Sequence, residues 1–218
     1  MEWTRKIDGY CERLNFEYWA EPINAVTNIA FIIAALIMWR RTAGLPLGRI
    51  LSALVGAIGV GSFLFHTHAT IWAVTADVVP IALFTLVFLF SLLFHICNFS
   101  LAWSLVGTVA FIPYSITFVS LFNLLPFFEI SAGYWPIPLL IFVVAFFLRN
   151  RENPTAIGLA LGATLLCISI AIRSLDELIC ASVPIGSHFI WHVLNGVMLG
   201  WMIEVYRRHM LAGQAAER

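Results

Sequence analysis

The sequence predicts an all-α membrane protein, a bundle of seven transmembrane helices with its N-terminus outside and its C-terminus in the cytoplasm. Three observations predict it. Hydrophobic residues make up 61% of the 218-residue chain and charged residues only 11%, and the mean hydropathy is +0.92, more apolar surface than a soluble domain of this size can bury. The charges gather in short stretches between apolar runs of about 15 to 25 residues, the length that crosses a hydrocarbon core of roughly 30 Å. The basic residues also fall unequally on the two sides of those runs.

The first twenty positions are polar and aromatic, with no apolar centre and no small-residue cleavage site, so no signal peptide is expected and 1–22 reads as an outer arm. The first span, 23–39, opens at Glu21-Pro22, where proline suits the first helical turn and a carboxylate suits the positive helix end. It stops at Arg40-Arg41. The second, 50–65, has Ser62 and His66 at its outer end, and the third, 71–94, carries Asp77 about two turns in. The fourth runs over 101–125, and the fifth, 133–148, stops at Arg149 and Arg151. The sixth, 155–172, contains Cys167; the seventh, 187–205, stops before Arg207-Arg208, leaving 206–218 as a cytoplasmic tail. Connections are short and no internal repeat or low-complexity segment is present, so 1–218 reads as a single domain.

Lysine and arginine in short loops are retained on the cytoplasmic side. Arg40, Arg41, Arg49, Arg149, Arg151, Arg207, Arg208 and Arg218 collect on one side, against Arg5, Lys6, Arg13 and Arg173 on the other. Glu2, Asp8, Glu12, Glu17, Glu21, Asp77, Glu129, Asp176 and Glu177 lie toward the outer side, and only Glu152, Glu204 and Glu217 lie inside. Cys11 and Cys180 share the outer side, where a disulfide is permitted; the sequence leaves their pairing open. A net charge of zero without a basic patch excludes a nucleic-acid partner, and the expected partner is a membrane lipid. No protein partner is implied.

Ionisable residues in spans are costly to bury, so each calls for a functional reason. Ser62 and His66 are four residues apart and share a helix face; His188 and His192 repeat the spacing at the outer end of the seventh span. Asp77 sits at a similar depth. Three histidines and a carboxylate from three helices thus converge, and a histidine pair at i, i+4 is the spacing of helical zinc sites. The pair lacks the glutamate of the zincin motif, which leaves Asp77 as the available base. A lone histidine at a span end is more often an interfacial residue: His68 reads as a loop residue off the helix face, and His95 and His209 as inner-side residues. The acidic arm, Asp8 to Glu21, reads equally as a solvated segment or as an oxygen site for a hard cation such as calcium.

At these residues the sequence resembles the alkaline ceramidase family, within the seven-span metallohydrolase superfamily that also holds the progestin and adipoQ receptors. The resemblance lies in the arm Asp8 to Glu12, the run Ala20-Glu21-Pro22-Ile23-Asn24-Ala25-Val26-Thr27-Asn28, the stretch Gly61 to His66 with Asp77 eleven residues on, and His188 to His192. It implies a zinc ion (Zn2+) held by His66, His188 and His192, with Asp77 and Ser62 as the catalytic residues beside it. It also implies a calcium ion (Ca2+) held by Asp8, Glu12, Asn15 and Glu21. The implied reaction is hydrolysis of a ceramide-like amide to a fatty acid and a sphingoid-type amine. Asp8 stands three residues before Cys11 where the eukaryotic pattern has two, Tyr10 replaces a tryptophan, and the arm and the loop before His188 are short. This compactness looks like the bacterial branch, which implies a bacterial inner membrane with the site toward the periplasm.

Two other classes share these residues. A receptor could keep the zinc site and bind lipid without turnover, and a haem or proton-transfer protein could use paired histidines inside the membrane. A retinal protein is excluded, because the only lysine, Lys6, lies outside every span and can form no Schiff base there.

Overall fold

The computed structural model describes residues 2–216; Met1 and two residues of the topology tally, Glu217 and Arg218, lie outside the described residues. The chain runs α1 (Pro22–Thr27), α2 (Ile29–Arg41), α3 (Pro46–His68), α4 (Ile71–Ser91), a π-helical turn (Leu92–Ile96), α5 (Leu101–Phe122), a short 3₁₀ turn (Glu129–Ser131), α6 (Pro136–Leu148), α7 (Asn153–Ile179) and α8 (His188–Ala216). Among the described residues six helices are long and apolar enough to cross a membrane, α1 and α2 counting as one; α6 is apolar but shorter. Large apolar side chains such as Ile33, Leu36, Val109, Ile116 and Phe147 stay exposed on the outer faces. That pattern belongs to an integral membrane protein, whose backbone groups must be paired within each helix.

The helices close into a ring in which α2 packs on α3, α3 on α4, α4 on α5, α5 on α6, α6 on α7, α7 on α8 and α8 back on α2. The α3–α4 contact is the most extensive and the contacts of α5 the sparsest; Ser104 is the one buried residue of α5. The ring surrounds a cavity lined mostly by apolar side chains.

Helix ends differ from the sequence reading where side chains act at a distance. The first span breaks at Asn28, because Thr27 and Asn28 turn their side chains back onto the carbonyls of Ile23, Asn24 and Ala25, a bond that competes with helix continuation. His68 is the last residue of α3, followed by Ala69 in the left-handed region at φ 48°, and so is not a loop residue. The segment 206–218, read as a tail, continues α8 to Ala216, with Tyr206 1% exposed. Arg207 and Arg208 do not stop the helix, because both pair with Glu204 one turn back.

The arm lies across the α3–α4 connection. Ile7 N–H donates to Ala69 O at 2.8 Å, Ile71 N–H to Arg5 O at 3.2 Å and Trp72 N–H to Trp3 O at 3.1 Å. A disulfide joins Cys11 to Cys180 with a Cα–Cα distance of 5.2 Å, which settles the pairing left open by the sequence.

Candidate metal centre and cavity

His66 ends α3, and His188 and His192 open α8; the ligand atoms of the three rings lie within 4.8 Å of one another and all three residues are buried. Two packing devices bring them together. Gly61 lets α3 approach α4 so closely that a Cβ there would run into the carbonyl of Ala76 and lie 3.0 Å from Asp77 Cα. Gly186, at φ +64°, turns the chain into α8 where a Cβ would meet the Asp176 carboxylate; the left-handed backbone favours glycine there. That carboxylate, 2% exposed, caps α8 by accepting from Ser187 N–H at 2.6 Å and His188 N–H at 2.8 Å, and holds the arm by accepting from Cys11 N–H at 3.0 Å.

The hydrogen bonds of His66 and His192 each leave Nε2 as the free acceptor. His66 Nδ1 lies 2.5 Å from Glu21 Oε2, and a carboxylate only accepts, so Nδ1 carries the proton and Nε2 does not. His192 Nδ1 lies 2.9 Å from Thr27 Oγ1, whose own proton is taken by the carbonyl of Ile23 at 2.8 Å; Nε2 is again the free acceptor. His66 Nε2, His192 Nε2 and His188 Nδ1 are buried without any hydrogen-bond partner. Three unpaired imidazole nitrogens facing one another in a buried site are destabilising unless a cation sits among them. Neutral imidazole is a good ligand for zinc and neighbouring transition metals, and three protein ligands leave a position open. The residues therefore fit a divalent metal.

Supporting contacts orient the rings. Glu21 accepts from Asn24 Nδ2 at 3.0 Å and pairs with Arg13. Burial alone would push the Glu21 carboxyl up; the hydrogen bond and charge of His66 and the charge of Arg13 outweigh it and hold it below the usual carboxylate range. Tyr10 stacks on His188 with ring centroids 3.7 Å apart, and burial pushes its phenol up.

The residues implied for calcium are not brought into one shell. Both Glu12 carboxylate oxygens are taken by the Ile23 and Asn24 N–H groups at 2.7 and 2.8 Å, capping α1 from the arm. Glu21, expected at that helix end, turns inward to His66 instead. Asn15 Oδ1 accepts from Glu17 N–H, and Asp8 is exposed. The cation amid these oxygens is the Arg13 guanidinium, which is bound by Glu21, by Asn15 O at 3.2 Å and by His66 O at 2.9 Å. The donor set as placed fits a guanidinium and not a second metal.

Ser62 and Asp77 line the cavity together with His188, Tyr10, Tyr134 and Arg173. Below this polar end the lining turns apolar, with Phe84, Phe88, Leu89, Leu92, Met198 and Met202. Sequence reasoning named Ser62, His66, Asp77, His188 and His192 but missed Thr27, Asn24 and Asp176 as supports. Thr27 and Asn24 had a signal in the run Ala20 to Asn28; Asp176 had none, because its cap acts across twelve residues.

The fold and site define a polytopic membrane protein with a buried three-histidine site, one member of which, His188, lines a mostly apolar cavity. A ceramidase family model matches residues 3–217, and the chain belongs to that family. No curated protein sequence matches it significantly.

Proposed function

We propose that this protein is a zinc-dependent intramembrane amidohydrolase that cleaves the amide of a ceramide-like lipid. The observation that carries this reading is the set of three buried, unpartnered imidazole nitrogens at the head of a mostly apolar cavity. Family membership supports the substrate class. His66, His188 and His192 would hold the ion. A divalent ion of this kind polarises a carbonyl and makes water more acidic.

The chain's own groups do the rest. Asp77 takes the proton of the attacking water and returns it to the leaving amine. Ser62 donates a hydrogen bond to the oxygen on which negative charge develops. The apolar lining holds the acyl chain and keeps bulk water away, and the arm, stacked on His188 through Tyr10, closes the polar end.

The same reading includes seven crossings, with α6 as the short one, the N-terminus and histidine site outside and the C-terminus cytoplasmic. For a bacterial inner membrane, the outside is the periplasm. The asymmetry of basic residues supports this orientation. Fatty acid release by purified protein tests the activity and separates a hydrolase, which turns over, from a receptor, which binds lipid without releasing product.

A further inference from the structure

Arg13 reaches one histidine of the metal centre by two routes. Its Nη2 donates to the backbone carbonyl of His66 at 2.9 Å. Its Nε donates to Glu21 Oε1, while the other oxygen, Oε2, accepts from His66 Nδ1 at 2.5 Å and from Asn24 Nδ2 at 3.0 Å. The third group, Nη1, donates to Asn15 O at 3.2 Å and folds the arm around the guanidinium. The ion pair is shut off from solvent, with the Arg13 and Glu21 side chains 1% and 2% exposed.

Each contact answers a local need. His66 lies in the last turn of α3, which ends at His68, and carbonyls there lose their helical donors and carry partial negative charge. The arm supplies the missing donors: Lys6 Nζ to His68 O at 2.9 Å, Ile7 N–H to Ala69 O at 2.8 Å, and Arg13 to His66 O. Glu21 has a different need. The terminal torsion of a glutamate is broad and roughly two-fold, so the bond to Asn24 alone does not fix the carboxylate plane. Arg13 on the second oxygen does, and the plane of the carboxylate in turn sets the ring of His66. A planar guanidinium with donors pointing three ways can serve Glu21, Asn15 and His66 at once; an ammonium or an amide cannot match that fork.

We propose that Arg13 is a positioning residue of the metal centre: from the arm, it fixes both the backbone of His66 and the carboxylate that orients its ring, so that metal affinity depends on the arm. This rests on the metal-binding reading of the three histidines. It goes beyond the filling of the arm's cation position, because it makes a residue outside both the histidine triad and the cavity lining a determinant of the site.

The test is the zinc affinity of the purified full-length protein, read by chelator competition. The wild type is compared with Arg13→Lys, Arg13→Gln, Glu21→Gln and the Arg13→Gln, Glu21→Gln double variant. Arg13→Gln is expected to lower affinity about 10- to 100-fold. Arg13→Lys keeps the charge without the fork and is expected to lose less, but measurably. Because Arg13 acts on His66 partly through Glu21, the double variant is expected to lose less than the product of the two single losses. An arginine that only helped the arm to fold would give independent losses. Wild-type affinity in Arg13→Gln or Arg13→Lys, equal affinities in those two variants, or independent losses in the double variant overturn the proposal and leave the metal centre standing. Should Arg13→Gln not fold, Arg13→Lys decides, a measurable drop upholding the proposal and wild-type affinity overturning it. A wild type that takes up no zinc overturns the metal-binding reading, and this proposal falls with it.

Discussion

At one end of the bundle three imidazole nitrogens face each other with no hydrogen-bond partner; toward the other, the Glu204 carboxylate is saturated. Arg41, Arg207 and Arg208 donate five hydrogen bonds to its two oxygens, at 2.7 to 3.1 Å. Both clusters put ionisable groups in or beside apolar spans. The Glu204 cluster needs nothing from outside the chain and so ties α2 to α8 as a structural clamp. The histidine cluster leaves three imidazole nitrogens without a partner, placed where they could hold a cation, and its His188 lines the cavity. Burial of ionisable groups in a membrane protein therefore does not by itself mark a site; the unsatisfied atoms do.

The largest expected effect is on the unsatisfied cluster. The His188→Ala, His192→Ala double variant removes two of three ligands and is expected to abolish fatty acid release while the protein remains extractable and folded. Residual turnover near wild type would erase the distinction between the two ends. Asp77→Asn keeps size and hydrogen-bonding reach but cannot take a proton; it is expected to retain metal and lose at least about a hundredfold in rate. Metal loss in step with activity would make Asp77 a positioning residue. Glu21→Gln weakens the orientation of His66 and is expected to lower metal affinity about 10- to 100-fold, read by chelator competition.

The satisfied cluster should behave differently. Glu204→Gln is expected to leave metal content and turnover intact and to lower Tm by a few degrees, because a carboxylate shared by three arginines is lost. The smallest effect belongs to the arm: a calcium-selective chelator should leave Tm unchanged, since Arg13 already supplies the cation among those oxygens. A clear drop on chelation would restore a calcium site and displace Arg13 from it.

Much of this was legible in the sequence, because helical periodicity needs only local information. Four-residue spacing put Ser62 with His66 and His188 with His192 on shared faces, and the lengths of the apolar runs located the spans. Contacts between distant segments were not legible. Glu21 reads as a helix-opening carboxylate until the arm, anchored by Cys11 at Cys180, delivers Arg13 beside it and Glu12 to the vacant helix end. Arg173 counts as one basic residue in a tally of loops, and only the ring of helices shows that it lines the same cavity as Asp77. The extension of α8 was hidden because Arg207-Arg208 looks like a boundary unless Glu204 is known to face both.

Metal content is the most direct test. Elemental analysis of the purified protein, with fatty acid release measured on the same sample, is expected to give about one zinc per chain in the active wild type and almost none in the inactive His188→Ala, His192→Ala variant. An active protein without zinc, or zinc undiminished in the double variant, would contradict the three-histidine centre.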